Sequence, residues 1–162
     1  MEEKAKGNLV IIGGAEDKYG DRKILKHVTD IIGGSNSRLV IITTATEKPE
    51  EVGTEYKNIF QSLGVSRVDV LNIATRDEAN TQENVERVKN ATGIFFTGGD
   101  QLRITSILGG TEVHAQMQEA YYRGVAIAGT SAGASVMSNT MVIDGDSNDA
   151  ARKCTLKMAP GL

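Results

Sequence analysis

Cysteine is almost absent from the sequence. Cys154 stands alone, which excludes an internal disulfide framework and fits a reducing compartment. Histidine is nearly as scarce. His27 and His114 lie far apart and, with a single thiol, offer no metal-ligand cluster, so no metal site is expected. No apolar run approaches the ~20 residues that span a bilayer. Residues 1–7 are polar and lack the apolar core of a secretion signal. Together these absences predict a cytoplasmic protein with no membrane partner. Excess positive charge is missing too: the net charge of −3 offers no nucleic-acid surface. A chain of 162 residues with 40% hydrophobic content can still bury the core of one domain.

Glycine, by contrast, is plentiful and punctuates a strand–helix alternation. Residues 8–12 form an almost continuous apolar run ending at Gly13-Gly14, as suits a strand covered on both faces. Asp21 is placed to cap a helix carrying Ile24, Leu25, Val28 and Ile31/Ile32, which Gly33-Gly34 stops. Residues 38–43 repeat the strand pattern. Residues 44–51, with Pro49, read as a loop into a helix whose stripe is Tyr56, Ile59, Phe60 and Leu63. A third strand covers 67–73, and a polar connection over 76–82 leads to a short helix with Val85 and Val88. The fourth strand, 93–97, runs into Gly98-Gly99-Asp100-Gln101 and then a helix with Leu102, Ile104, Ile107 and Leu108. Thr111 is placed to cap the next helix, with Val113, Met117, Ala120 and Tyr121. The apolar stretch from Val125 is a further strand, Met141-Val142-Ile143 begins another, and beyond Asp144 the chain turns polar.

This alternation predicts a doubly wound α/β sandwich with a mainly parallel sheet. Ligands of such sheets bind beyond the carboxyl ends of the strands. The loops 13–16, 44–46, 98–101 and 129–131 all fall on that edge.

Within the last of these loops lies Gly129-x-Ser131-x-Gly133, between a strand and a helix start. A serine on so sharp a turn exposes its Oγ, and side chains two residues to either side would collide with the turn. The Ala132 amide, just after the serine, is a natural oxyanion donor. The same residues also suit a tight connection or an anion-binding loop without a nucleophile. In Gly98-Gly99-Asp100-Gln101, Gly99 is the choice for a second oxyanion donor. Asp100 and Gln101 stand at the rim to hold a polar substrate, Asp100 by pairing with a cation; alternatively Asp100 caps the helix that follows. Gly13-Gly14-Ala15-Glu16 is not G-x-G-x-x-G, and no Walker A pattern is present, so no cofactor is expected. A serine hydroxyl needs a base to take its proton, most often histidine. Both histidines precede Ser131, each within a predicted helix, and both read as structural or solvent-facing.

In combination, Ile11-Ile12-Gly13-Gly14-Ala15-Glu16-Asp17, Phe96-Thr97-Gly98-Gly99-Asp100-Gln101 and Gly129-Thr130-Ser131-Ala132-Gly133-Ala134-Ser135 resemble the cyanophycinases. These form one serine peptidase family with peptidase E, the aspartyl dipeptidases. The resemblance runs from about residue 7 to the last residue. It implies a flavodoxin-like fold, also described as class I glutamine amidotransferase-like. It further implies metal-free hydrolysis of cyanophycin, a polyaspartate backbone with arginine on each side-chain carboxyl, to β-Asp-Arg dipeptides by a cytoplasmic homodimer. Carried over by position, Ser131 is the nucleophile, Gly99 and Ala132 form the oxyanion hole and Gln101 contacts substrate; within residues 144–149, Asp149 is the better candidate for an acidic partner, the alternative being a solvated loop. Members of the family run on by about a hundred residues, a domain-sized length, and carry their catalytic histidine after the elbow. Residues 1–162 are therefore expected to be the N-terminal part of a longer catalytic domain, incomplete at the C-terminal end of the sheet. Alone, this part is expected to turn over little and to associate with a copy of itself or with the remainder. A peptidase E-like aspartyl dipeptidase is the alternative within enzymes. A non-catalytic α/β module is the alternative outside them, because no histidine follows Ser131 here.

Overall fold

Short apolar runs become the strands of one parallel sheet, but the first of them, expected to be covered on both faces, lies at the sheet edge with Leu9 and Ile11 exposed. In the computed structural model, which describes residues 7–145 and 156–162, the strands are β1 (Leu9–Ile12), β2 (Arg38–Ile42), β3 (Arg67–Leu71), β4 (Gly93–Phe96) and β5 (Ala126–Thr130). They pair in the order β1-β5-β4-β2-β3, every neighbour parallel. β4 and β5 are buried along their whole length, which explains why they read as continuous apolar or small-residue runs.

Alternation along each strand sends successive side chains to opposite faces. On one face Leu39, Ile41, Phe95 and Ala128 meet Leu25 and Val28 of α1 (Lys23–Ile31) and Tyr56 and Phe60 of α2 (Pro49–Ser62). On the other, Val40, Ile42, Ile94, Phe96 and Ile127 meet α3 (Gln82–Lys89), α4 (Gln101–Leu108) and α5 (Glu112–Arg123) through Val88, Ile104, Leu108, Val113 and Met117. The doubly wound sandwich expected from the sequence is the fold.

The topology also decides where a ligand fits. From β2 the chain moves outward to β3, whereas from β4 it moves the other way to β5. The reversal of direction falls between β2 and β4, and ligands of such sheets bind beyond the carboxyl ends of the strands at that point. Register brings Ile12 level with Thr130, and Phe96 level with Gly129. The loops after β1, β4 and β5 therefore meet.

Several local expectations are corrected. Asp21 does not cap α1, because Arg22 occupies the capping position in a left-handed conformation (φ 50°) with no side-chain cap. Asp17 satisfies this turn instead, accepting from the amides of Tyr19 at 3.0 Å, Gly20 at 2.7 Å and Arg22 at 2.9 Å. Pro49 lies inside the helix, not in the loop before it: its missing N–H costs nothing at the first helical position. Beyond Asp144 the chain forms a strand the sequence did not announce. β6 (Thr140–Gly145) pairs antiparallel with β7 (Leu156–Pro160), with an irregularity between Val142 and Asp144. The tail after it returns to α6 (Ala132–Ser135), the Leu162 amide donating to the Val136 carbonyl at 2.8 Å.

Candidate active site

β5 ends at Thr130 and α6 begins at Ala132, so Ser131 alone makes the turn. Its backbone lies at φ 53°, ψ −113°, a conformation that costs roughly 1–3 kcal/mol in an L-residue. Hydrogen bonds hold it there. The Ser131 amide donates to the Ile12 carbonyl at 2.9 Å, and its own carbonyl accepts from the Ala134 and Ser135 amides at 3.0 Å each. The side chain is exposed.

The glycine spacing has a steric reason. A Cβ on Gly129 would stand 2.3 Å from the Gly133 carbonyl oxygen, and one on Gly133 would stand 2.5 Å from that of Phe96. Both obstacles are backbone and cannot yield. Two further glycines wall the serine: a Cβ on Gly14 would lie 3.3 Å, and one on Gly98 3.4 Å, from the Ser131 Cβ. The hydroxyl thus stands between the loops after β1 and β4.

Gly99 follows at φ +142°, where an added Cβ would stand 2.1 Å from the Ala45 carbonyl oxygen. The next amide, of Asp100, donates to that oxygen at 2.9 Å and pins the loop against the tip of β2. Among the described residues, the Gly99 and Ala132 amides have no hydrogen-bond acceptor. Two amides without acceptors and an exposed hydroxyl thus stand on neighbouring loops, without, among the described residues, the base that acyl transfer also requires.

The rim residues divide differently. Asp100 is the cap of α4, its Oδ1 accepting from the Leu102 amide at 2.8 Å and the Arg103 amide at 3.4 Å. Of the two readings, the cap is the one the structure displays. Gln101 donates its side-chain amide to the Val142 carbonyl at 2.7 Å, tying the rim to β6. Asp149 lies outside the described residues. His27 is exposed on α1. His114 of α5 accepts the Gly110 amide on Nδ1 at 3.0 Å, and its burial lowers its pKa. It lines a cavity of about 280 Å³ with Leu9, Met117 and Tyr121, of which Ser131 is not a wall. Neither histidine hydrogen-bonds Ser131, and no metal-ligand cluster occurs among the described residues.

One group at the site escaped the sequence reading. Glu16 is only 7% exposed. Its Oε1 accepts the Tyr56 hydroxyl, and its Oε2 accepts the Thr130 hydroxyl at 2.6 Å. Burial above all, and then the Glu16 carboxylate, raise the Tyr56 phenol. Lys18 lies 4.5 Å over the Tyr56 ring and pairs with Glu55 at 2.7 Å. The sequence signal was a carboxylate in a glycine loop at a strand end; its partners, 40 and 114 positions away, left no local trace.

A serine at positive φ on a strand-to-helix elbow, at the carboxyl edge of a parallel sheet, places the protein among α/β proteins of the serine-elbow type. Within that class the chain belongs to peptidase family S51, whose pattern it matches over residues 9–159. It is 38% identical over 158 residues to a cyanophycinase of Synechococcus elongatus, a match that covers 97% of this chain and 49% of that one. It is 34% identical over 163 residues to a cyanophycinase of Geminocystis herdmanii, covering 100% of this chain and 60% of that one. The chain thus spans about half the length of the curated relatives it matches. Among solved structures, a peptidase from an acI-B1 actinobacterium superposes with a TM-score of 0.70 at 27% identity, over 85% of this chain and 59% of that one. A putative peptidase E of Listeria monocytogenes shares the fold, with a TM-score of 0.65 at 23% identity over 83% of this chain and 63% of that one.

Proposed function

We propose that Ser131 is the nucleophile of a serine-type peptidase that hydrolyses cyanophycin and releases β-Asp-Arg dipeptides. The observation that carries this reading is the exposed Ser131 hydroxyl, held at φ 53° between two glycine loops. The substrate is taken from the cyanophycinases, 34–38% identical over nearly the whole chain.

In this reading Ser131 Oγ attacks the scissile carbonyl carbon while a base takes its proton. The carbonyl oxygen becomes an oxyanion and receives the Gly99 and Ala132 amides. The proton passes to the leaving amine, and water then hydrolyses the acyl-enzyme to free Ser131. The Gln101 amide oxygen faces the substrate role, since its nitrogen is engaged by Val142. Asp100 serves by setting the start of α4. The base is a histidine C-terminal to the elbow, in the part of the relatives' length that residues 1–162 do not span, so that these residues are the N-terminal part of a longer catalytic domain.

Dipeptide release from cyanophycin by the full-length protein, followed by mass spectrometry, tests the reading. Ser131→Ala is expected to lower kcat by on the order of 10⁴–10⁶-fold. Release that survives this substitution removes Ser131 from its role. A preference for α-linked aspartyl dipeptides moves the substrate to the aspartyl dipeptidase class.

A further inference from the structure

Glu16 is a buried carboxylate with no ion-pair partner among the described residues. Desolvating such a group is costly unless both oxygens are hydrogen-bonded. Both are, and by hydroxyls from two different elements: Tyr56 of α2 and Thr130, the last residue of β5. Thr130 is itself buried and stands directly before Ser131.

The other end of the same loop faces the nucleophile. Gly14 (φ 111°) and Ala15 (φ 52°) are consecutive positive-φ residues, the second a conformation that alanine adopts only at a cost. This double turn does two things at once. It lays Gly14 against Ser131, where an added Cβ would sit 3.3 Å from the serine Cβ. It also drives the Glu16 side chain down onto Thr130 and Tyr56. A side chain needed only to fill volume would be apolar. Glu16 instead fastens three separate segments, and two of them border the reacting hydroxyl.

We infer that Glu16 is a positioning residue: its carboxylate clamps the strained loop after β1 to Thr130 and so fixes the Ser131 elbow and its Gly14 wall in register. The inference rests on Ser131 being the nucleophile. It assigns Glu16 no contact with substrate. Geometry, not charge, is what the clamp supplies. Glutamine in its place can accept one hydroxyl and donate to the other, whereas alanine can do neither.

Two readouts on the full-length protein test it: the rate at which a fluorophosphonate labels Ser131, and hydrogen–deuterium exchange of peptides covering 8–22 and 126–137. Glu16→Ala is expected to slow labelling by about 100-fold, the scale of a nucleophile misplaced by about an ångström. Exchange should rise in both peptides together, and kcat on cyanophycin should fall while KM stays within about twofold. Glu16→Gln should recover labelling to within about tenfold of the parent, the residual loss reflecting hydrogen bonds to a neutral amide in place of an ionised acceptor. Thr130→Val keeps the volume of the site and removes one arm of the clamp, so it should repeat the alanine phenotype, while Thr130→Ser restores it. Parent-like labelling and exchange in Glu16→Ala and Thr130→Val overturn the inference. So does a Glu16→Gln variant as slow as Glu16→Ala with its exchange unchanged, because charge would then be the cause. A parent protein unlabelled at Ser131 defeats the nucleophile reading and this inference's catalytic consequence. The exchange data then still report whether the clamp exists.

Discussion

Asp17 shows how a single side chain can replace a helix cap from a distance. The Arg22 and Gly20 amides above all, with that of Tyr19, hold its carboxyl below the ordinary value of 3.8. A carboxyl with a depressed folded-state pKa stabilises the fold above its unfolded value and loses that contribution as pH falls through the folded one. The stability difference between the parent and Asp17→Ala should therefore be full at neutral pH. It should shrink as pH drops below 3.8, measured as urea midpoints across that range. A gap that stays constant would remove the carboxylate from the turn. The sequence pointed to Asp21 because adjacency to a helix is all that one dimension can show. Arg22 in the left-handed region, not the order of residues, hands the task to Asp17. Ser131 is the opposite case, where the glycine spacing alone announced the strained residue and the backbone approaches then explained it.

Elements begin and end where caps allow, and α4 is the one that matters to the site. Asp100 accepts two of its first amides, so Asp100→Ala should cost about 1 kcal/mol, while Asp100→Asn should cost little because asparagine caps as well. Chemical denaturation with an unchanged slope reads this directly. Equal losses in both variants would mean that the carboxylate's charge, not its capping oxygen, is what counts. All five strands of the parallel sheet, and the helices between them, were legible from apolar runs and from helical spacing. Pro49 was misassigned to a loop because proline is a breaker everywhere except the first turn, and spacing alone does not locate that turn. β7 was not legible. Leu156–Pro160 is extended through its pairing with Thr140–Gly145, a partner the local pattern does not reveal.

At the scale of the whole molecule, the core and the site share a residue. Phe95 of β4 packs 5.2 Å from the Phe60 ring and 4.9 Å from that of Tyr56, centroid to centroid. Tyr56 in turn bonds Glu16 of the loop after β1, which also bonds Thr130 beside the elbow. Phe95 is fully buried, so Phe95→Ala should cost about 3–5 kcal/mol in global stability. A loss below 1 kcal/mol, on the scale of a surface change, would show that the aromatic cluster is not packed as described. The sequence by itself determined the α/β alternation, the carboxyl-edge loops and the serine elbow, because each is written in residues that are neighbours along the chain. Only the tertiary structure decided that Glu16 answers to Tyr56 and Thr130, that Asp100 is spent on a cap, and that Gly14 and Gly98 wall the same hydroxyl. The Glu16 bonds join residues 40 and 114 positions apart. Hydrophobic periodicity records which face of an element is buried, but not which partner the closed sheet will set against it.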